Sequence, residues 1–527
     1  MKKILLLSAI LMLLQFATIS ARDVTPRING KPSLILGGEL GNSSASNAED
    51  IDRIFPHLKA IGLNTVLVPA YWDLFEPEEG QFDFTLTDHV LQQARANDLN
   101  VVFLWFGAWK NSMSCYTPEW FKRDWRRFPR ARTKEGKPLE IASAFSENVY
   151  QADSKAFKTW LRHVADADST GRVVMIQIEN EIGMLESARD HSDIANDEYS
   201  KWHDIDPQAD TLPEIYREER FMAAAYAKYV ERLAREARNI TDVPLYVNAA
   251  MNSRGRTPGQ YPSAGPLAHL MDIWKHYAPT VDFMSPDLYD SGYKGWIARY
   301  ATENNQLFIP EIRRDENNGV KAFYAFGEKD ALGFSPFSIE DAPADTRLKL
   351  AYGCLDQLTP YILKYRGTEA MSGVLFDQAD RDTTIISDGM KLHCSHFFTL
   401  PWDSRATDGS RWPEGGGIVI RIAPMEYIIA GSGIVVEFDR PDAAADTRLL
   451  GEDGFALVGM DAPESSLTTK APDSRIGIAS CDQVSISPDG NMRYIRRLNG
   501  DQDHQGRHVR IGVDDFEILH VRLYEYQ

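Results

Sequence analysis

Short apolar runs alternate with amphipathic segments from residue 33 to about residue 358, as expected where strands alternate with helices. The runs are continuously apolar, which is typical of parallel strands covered on both faces. Strands are predicted at Ser33–Gly38, Asn64–Pro69, Asn100–Trp105, Val173–Ile178, Pro244–Ala249, Val281–Met284, Leu307–Pro310 and Leu332–Phe337. The helical patterns between them lie at Ala48–Ile61, Leu86–Ala96, Ser154–Ala167, Leu212–Arg238, Lys321–Lys329 and Thr346–Leu358.

Eight such units predict a closed (β/α)8 barrel, the TIM-barrel fold, over residues 22–375. An open doubly wound sheet is the alternative, but no glycine-rich phosphate loop follows the first strand. Two long polar stretches, Trp109–Ser146 and Met184–Asp210, follow predicted strands. In a barrel they would lie at the C-terminal face, where active sites are built.

The composition changes after about residue 375, where glycine, aspartate and serine cluster at 403–417 and 438–454. Alternating strands lie between and after these clusters, which predicts an all-β, sandwich-like domain over residues 376–527. The pattern does not indicate what this domain does. Its strands are predicted at Gly417–Ile422, Tyr427–Ile429, Gly433–Phe438 and Ala456–Val458, with a final strand pair in Phe516–Tyr526.

The N-terminus has the features of a secretory signal peptide. Lys2 and Lys3 precede the apolar run Ile4–Ala17, and the small residue Ala21 is suited to cleavage before Arg22. An uncleaved membrane anchor is the alternative, although the run is short for a span. We therefore expect residues 1–21 to be removed, a periplasmic or extracellular protein, and no membrane span afterwards.

The charge and the cysteine content argue against nucleic acid and zinc as partners of the chain. The net charge of -19 argues against nucleic acid, whose phosphates require Lys and Arg. The cysteines fit no zinc motif, and the sequence leaves their pairing open, as it leaves open whether the protein forms a homo-oligomer. The four cysteines are Cys115, Cys354, Cys394 and Cys481.

Two of the predicted strands end in glutamate. The fourth strand leads into Glu179-Asn180-Glu181, and the seventh leads into Glu311. In a barrel both ends reach one cleft, and glycoside hydrolysis requires two carboxyl groups that flank one anomeric carbon, about 5 Å apart in retaining enzymes. Strand alternation places Glu179 and Glu181 on the same side, so the pattern alone does not choose between them.

The segment MIQIENEIG (Met175–Gly183) resembles the acid/base strand of the family 35 and family 42 β-galactosidases, members of the large clan of barrel glycosidases (clan A). In those families an asparagine stands directly before the acid/base glutamate, which implies this role for Glu181. FIPEIRRD (Phe308–Asp315) is similar to their nucleophile strand and implies that Glu311 is the nucleophile. The resemblance extends through Leu63–Phe84, Thr117–Phe121 and Val281–Asp290, and Glu426–Phe438 resembles a β-rich domain that follows some of these barrels.

Two positions depart from the family 35 pattern. Ile182 stands where a tyrosine is usual, and Phe106–Cys115 lacks the Ala-Glu pair that usually binds the sugar. The resemblance therefore supports the mechanism better than it supports a preference for galactose.

Several residues are predicted to bind substrate around this pair. By the resemblance, Asn180 donates to the sugar 2-hydroxyl and Tyr289 lies near the nucleophile; each could instead be an ordinary structural residue. Asn248 ends the fifth strand and is a weaker candidate. The aromatic candidates for stacking on a sugar are Trp109, Trp72 and Trp105, with Tyr71 beside them, although buried tryptophans are common in barrels.

We expect a retaining exo-β-glycosidase that acts on β-linked glycans, with β-galactosidase first among the specificities. The histidines His89, His191 and His203 match no metal-ligand spacing, and no Gly-x-Ser-x-Gly elbow occurs, so neither a metal nor another cofactor is predicted. One alternative is the same barrel acting on another sugar, such as a β-glucoside or arabinoside. The other is a carbohydrate-binding protein that has lost catalysis.

Overall fold

The computed structural model describes residues 22–252, 255–344, 346–400, 402–441, 474–500 and 502–527. The predicted signal peptide and the predicted strand Ala456–Val458 lie outside these residues.

Eight parallel strands close into a barrel in which neighbours along the chain are neighbours in space, and the last strand pairs with the first. This confirms the predicted fold, and it makes the glutamate-bearing strands the fourth and the seventh. The strands are β1 (Ile35–Glu39), β2 (Thr65–Tyr71), β3 (Asn100–Phe106), β4 (Val173–Gln177), β5 (Leu245–Ala250), β6 (Phe283–Leu288), β7 (Ile309–Ile312) and β8 (Gly333–Pro336).

One principal helix follows each strand. The first begins where the Asn47 side chain accepts a hydrogen bond from the Asp50 backbone N–H, and it ends at Gly62, whose φ of 97° suits glycine. The helices are α1 (Ala48–Ile61), α2 (Thr85–Ala96), α3 (Glu147–Ala167), α4 (Glu214–Arg238), α5 (Met271–Tyr277), α6 (Tyr293–Tyr300), α7 (Asn318–Lys329) and α8 (Arg347–Tyr365).

Shorter elements decorate the barrel and the second domain. Three short α-helices are Trp72–Phe75, Glu119–Arg123 and Asp193–Lys201, and two small hairpins pair Arg27–Ile28 with Lys31–Pro32 and Arg130–Arg132 with Pro138–Ala142. The 3-10 turns are Pro207–Thr211, Ala268–Leu270, Ile339–Asp341, Phe397–Thr399 and Ser404–Ala406.

The chain after α8 forms two antiparallel sheets that enclose a second apolar core. One sheet has the order β9-β12-β13-β18-β15-β16, and the other has the order β10-β11-β14-β17. This confirms the sandwich-like domain. Its strands are β9 (Met371–Phe376), β10 (Asp382–Ser387), β11 (Met390–His396), β12 (Gly415–Ala423), β13 (Glu426–Ser432), β14 (Ile434–Asp439), β15 (Arg475–Ile486), β16 (Met492–Arg497), β17 (Val509–Ile511) and β18 (Glu517–Tyr526).

Two details of this domain differ from the prediction. β9 pairs with β12, so the second domain begins near residue 371 rather than at 376. The segment predicted as a final strand pair is the single strand β18, which lies between β13 and β15. It is continuous because no turn residue interrupts its alternating pattern.

The two domains are joined by a close contact between α7 and the larger sheet. A Cβ atom added to Gly327 of α7 would lie 2.6 Å from Ile418 Cγ1 and 3.0 Å from the Cα of Gly373. Only a glycine at this position lets the helix approach the sheet so closely.

Two further points from the sequence concern membrane spans and cysteine pairing, and both can be compared with the described part of the chain. No helix there combines the length and the apolar character that a membrane span needs. All four cysteines are free thiols; Cys354, Cys394 and Cys481 are buried and Cys115 is exposed.

We predict that Gly327→Ala lowers the free energy of unfolding by about 1–3 kcal/mol, because the methyl group overpacks the contact between the domains. Gly353→Ala is the matched control: Gly353 lies in α8 with no atom within 4 Å of an added Cβ, and the change should add about 0.5–1 kcal/mol through helix propensity. Thermal and urea unfolding of both variants measures the difference. Equal effects of the two substitutions would contradict the close contact.

Candidate active site

The turn after β4 separates the two glutamates that the sequence could not distinguish. Glu179 and Glu181 have φ values of 59° and 45°, in the left-handed region, so the extended alternation assumed for them is wrong. The Glu179 carboxylate accepts a hydrogen bond of 2.8 Å from the Trp109 backbone N–H and faces Asp153 of α3. Glu181 instead points into the barrel mouth, which leaves it as the only one of the two that faces Glu311.

Neighbouring segments hold this strained turn in place. Left-handed conformations of non-glycine residues cost about 1–3 kcal/mol each and persist where the surroundings enforce them. The Glu181 backbone N–H donates to Asn248 Oδ1 at 2.9 Å, and its carbonyl accepts from the Ser112 backbone N–H at 3.1 Å. The Asn180 backbone N–H donates to the Trp109 carbonyl at 3.2 Å.

Glu181, Asp287 and Glu311 converge at the mouth of the barrel. Each contributes a carboxyl oxygen to a group of three that lie within 4.8 Å of one another. Asp287 and Glu311 are direct partners in the pairing of β6 with β7, and Glu181 faces them from the end of β4. The structure therefore brings the two predicted glutamates to a spacing that one sugar ring can bridge.

Glu311 is buried and tuned by its neighbours. The Tyr289 hydroxyl donates a hydrogen bond to Glu311 Oε1. Burial, followed by the negative charge of Glu181, raises the pKa of Glu311 to about 7, while Lys110 and the hydrogen bond from Tyr289 oppose the rise. The pKa of Tyr289 is itself raised by burial and by the charge of Glu311, so the phenol stays a donor. Glu311 therefore exchanges its proton near neutral pH.

Two further acids in the mouth were not singled out from the sequence. Glu39, the last residue of β1, and Asp287, near the end of β6, are both fully buried. Burial and neighbouring carboxylates raise the pKa of each well above its ordinary value. Glu39 could have been found, because it ends an apolar strand as Glu311 does. Asp287 carried no comparable signal, since the predicted strand Val281–Met284 ended three residues before it.

Lys110, which the sequence analysis also missed, supplies positive charge to this group of acids. It is buried, and its ammonium donates to Asn180 Oδ1 at 2.9 Å. It lies in Phe106–Cys115, the loop that departs from the family 35 pattern. Asn111 of the same loop donates from its side-chain amide to Glu181 Oε2. The loop that lacks the Ala-Glu pair usual in family 35 thus holds Glu181 and Asn180 in place.

The two asparagines predicted to bind substrate differ in how many of their side-chain hydrogen-bonding groups already have partners. Asn180 Nδ2 is buried, and no described residue accepts a hydrogen bond from it. Asn248 has both ends of its amide occupied, because it accepts from the Glu181 backbone and donates to Asp287 Oδ2 at 2.7 Å. Asn248 therefore orients Glu181 and Asp287, and direct contact of its amide with sugar stays a prediction.

The predicted tryptophan contacts are corrected by burial. Trp72, Trp105 and Trp109 are fully buried. Tyr71 is 5% exposed, as Glu311 is, and its contact with sugar stays a prediction. Trp109 packs edge-on against Tyr226 and Tyr229, Trp105 packs against Trp160 of α3, and Trp72 packs against Trp120. Tyr71 packs edge-on against Phe106 of β3. The space between the barrel and the helices must be filled by large side chains, and the tryptophan rings of the strands and loops fill it.

A cavity of about 690 Å³ lies beside the mouth, within the size range of ligand sites. Tyr289 lines it and also donates to Glu311, so the two spaces share one side chain. Half-buried Trp296 lines the same cavity and was not predicted. The cavity offers aromatic surface and charge next to the acids; its charged lining residues are Asp290, Arg313, Asp315 and Lys321.

Comparison with known families agrees with this arrangement over part of the chain. Residues 42–231 match the family model described as β-galactosidase (glycoside hydrolase family 42), and residues 348–510 match a domain of unknown function (DUF5597). A β-galactosidase from Xanthomonas manihotis is 28% identical over 177 residues, which are 32% of this chain and 26% of that protein. The chain thus resembles family 42 β-galactosidases, and it aligns with about a quarter of this relative's length.

Solved structures of β-galactosidases also align with part of the chain. A family 42 β-galactosidase from G. stearothermophilus aligns with a TM-score of 0.49 and 15% identity, over 65% of this chain and 58% of that one. A cold-adapted β-galactosidase from Rahnella sp. R3 aligns with a TM-score of 0.47 and 15% identity, over 65% and 58%.

We predict that replacing Glu311 changes how stability depends on pH. Because the pKa of Glu311 is about 7 in the folded protein and lower in the unfolded chain, the folded state binds the extra proton between these values. Stability contributed by this group is complete at acid pH and is lost as the pH rises through 7, by up to about 3 kcal/mol. Glu311→Gln removes this loss, so its melting temperature should fall less than that of the wild type between pH 5 and about 8. Parallel curves for the two proteins would contradict the raised pKa.

Proposed function

We propose that this chain, whose barrel resembles the family 42 β-galactosidases, is a retaining exo-β-glycosidase that hydrolyses terminal β-galactosides. The observation that carries the proposal is the convergence of Glu181 and Glu311, from β4 and β7, to within 4.8 Å. Retaining glycosidases hold their two carboxyl groups about 5–5.5 Å apart, whereas inverting enzymes leave a wider gap for water.

In the first step of the proposed reaction, ionised Glu311 attacks the anomeric carbon while Glu181 gives its proton to the glycosidic oxygen. The glycosidic C–O bond breaks, the leaving alcohol departs neutral, and the sugar is bound to Glu311 through an ester. In the second step Glu181 takes a proton from water, whose oxygen displaces Glu311 from the same carbon. Two inversions retain the configuration, and both glutamates return to their starting states.

The surroundings suit these roles. Tyr289 and Lys110 favour the ionised form of Glu311, as a nucleophile requires. Asn111 donates to Glu181 and fixes its orientation. The unused Nδ2 of Asn180 is available to the sugar 2-hydroxyl, a bond that strengthens in the transition state of such reactions. Catalysis by these groups requires no cofactor.

The preference for galactose rests on the resemblance. Because the loop Phe106–Cys115 contains Lys110 and lacks the Ala-Glu pair that is usual in family 35, we expect the hydroxyl-binding groups of the subsite to be arranged differently here. Glu39, Asp287 and Lys110 are buried ionisable side chains that lie around the glutamate pair, together with the amides of Asn180 and Asn248. Export through the N-terminal signal would bring the enzyme to glycans in the periplasm or outside the cell.

We predict that Glu311→Gln lowers kcat/KM for an aryl β-galactoside by at least about 10³-fold, since the nucleophile is lost. Glu181→Gln should lower it by about 10²–10⁴-fold for a poor leaving group and much less for dinitrophenolate, which needs no protonation. Circular dichroism confirms folding of each variant. NMR of the first product should show the β-anomer; the α-anomer would overturn the retaining mechanism.

Glu179→Gln is the matched control for Glu181, because it changes a buried glutamate two residues away that faces Asp153. It should keep the wild-type ratio of rates on good and poor leaving groups. A leaving-group dependence that appears in Glu179→Gln rather than in Glu181→Gln would assign the acid/base role to Glu179.

For the wild type, we predict release of nitrophenol from the β-galactoside in preference to the β-glucoside and the arabinoside. The resemblance of the barrel is the reason for this expectation. Faster cleavage of another sugar would change the specificity and keep the mechanism. A folded protein that cleaves none, and binds sugar by calorimetry, would support the non-catalytic alternative.

A further inference from the structure

We propose that Glu39 is a positioning residue that, in its protonated form, donates a hydrogen bond to Glu311 and keeps the nucleophile ionised. The inference rests on the proposed function, in which Glu311 attacks as a carboxylate. It assigns a role to a buried acid that the reaction described above does not use.

The carboxyl group of Glu39 is buried beside that of Glu311 and has no hydrogen-bond donor of its own among the described residues. Glu39 is fully buried at the end of β1, and no described residue donates a hydrogen bond to either of its carboxyl oxygens. Its carboxyl faces that of Glu311, whose Oε2 also receives no hydrogen bond from the described residues. Two carboxylates are both acceptors, so they form a hydrogen bond only when one of them carries a proton.

The surroundings decide which of the two keeps the proton. Glu311 accepts the hydroxyl of Tyr289, and Lys110 favours its charged form, so its pKa rises only to about 7. Glu39 receives no such donor, and burial followed by the charge of Glu311 raises its pKa well above the ordinary value. As the pH rises, Glu311 therefore loses its proton first. The titratable and charged groups that act on Glu39 are Glu311, Lys110, Glu181, Asp287, Tyr289 and Tyr246.

A protonated acid in this position can donate a hydrogen bond to the nucleophile. A buried carboxylic acid that stays neutral at pH 7 serves as a hydrogen-bond donor to a developing or existing negative charge. Here the proton remains on Glu39 throughout: it stabilises the carboxylate of Glu311 before attack and the carbonyl oxygen of the ester afterwards. No proton moves between the two residues, so the balance of the two-step reaction is unchanged.

The competing role is that of an ionised Glu39 that accepts a hydrogen bond from a sugar hydroxyl. The two roles predict opposite changes in Glu311. Removing a donor makes Glu311 harder to ionise, whereas removing a neighbouring negative charge makes it easier. The acidic limb of the pH profile of kcat/KM, which reports Glu311 in the free enzyme, therefore distinguishes them by its direction.

The experiment compares Glu39→Gln, which keeps an N–H donor, with Glu39→Met, which has similar length and no donor. On an aryl β-galactoside, Glu39→Met should move the acidic limb to higher pH by about one unit, so that kcat/KM below the limb falls about tenfold further than in the wild type. Glu39→Gln should leave the limb near its wild-type position. A shift to lower pH in both variants would overturn the proposal in favour of the ionised role.

Two controls keep this result separate from the proposed function. Glu179→Gln removes another fully buried carboxyl, one that faces Asp153, and should leave the acidic limb in place. Thermal unfolding shows whether each variant is folded. The infrared difference spectrum between the wild type and Glu39→Gln at pH 7 requires no activity and should show the carbonyl band of one protonated carboxylic acid. Its absence would overturn the inference even if hydrolysis is observed, and its presence in a protein that cleaves no glycoside would refute only the hydrolase.

Discussion

The mutual repulsion of carboxyl groups buried in one small space is the constraint on which the site depends. Glu39, Glu181, Asp287 and Glu311 meet at the barrel mouth, and the buried ammonium of Lys110 acts on Glu39 and Glu311. Four ionised carboxylates cannot be held together out of water, so some must stay protonated at neutral pH. The closed barrel enforces this by ending strands from opposite sides at the same face. In the proposed reaction, the distribution of protons among these acids then determines which group can attack and which can donate.

A second requirement is that the carboxyl groups be correctly oriented. Segments outside the strands that carry Glu181 and Glu311 provide this orientation. The left-handed turn after β4 directs Glu179 toward α3 and Glu181 into the mouth. The loop after β3 supplies Lys110, Asn111 and Ser112 to this turn, and Asn248 of β5 completes it. A departure from the family 35 pattern in that loop is thus linked to the geometry of the acid/base side, because the same residues touch both.

The sequence predicted the barrel, the strand numbering and the two converging glutamates, because apolar period and strand-end position are properties of local sequence. It could not separate Glu179 from Glu181 by physical pattern, since the backbone there is held left-handed by contacts with distant residues. Glu39 was overlooked although its strand also ends in an acid. The tryptophans were candidates for stacking on a sugar because composition alone does not show which side of a strand or loop a ring occupies. The start of the second domain was placed late because β9 is apolar like a barrel strand and its partner β12 is remote in sequence.

The close approach of α7 to the larger sheet bears on how this architecture can be modified. α7 follows β7, the strand that carries Glu311, and its glycine leaves no room for even one methyl group against Gly373 and Ile418. The sandwich therefore packs directly against the barrel and is not a separate domain on a flexible linker. A recombinant enzyme trimmed after α8 would present the apolar side of α7 to water, and exchange of the sandwich for that of a relative would require the partner surface to be carried over with it. In protein engineering, the barrel and the sandwich should therefore be kept or exchanged together.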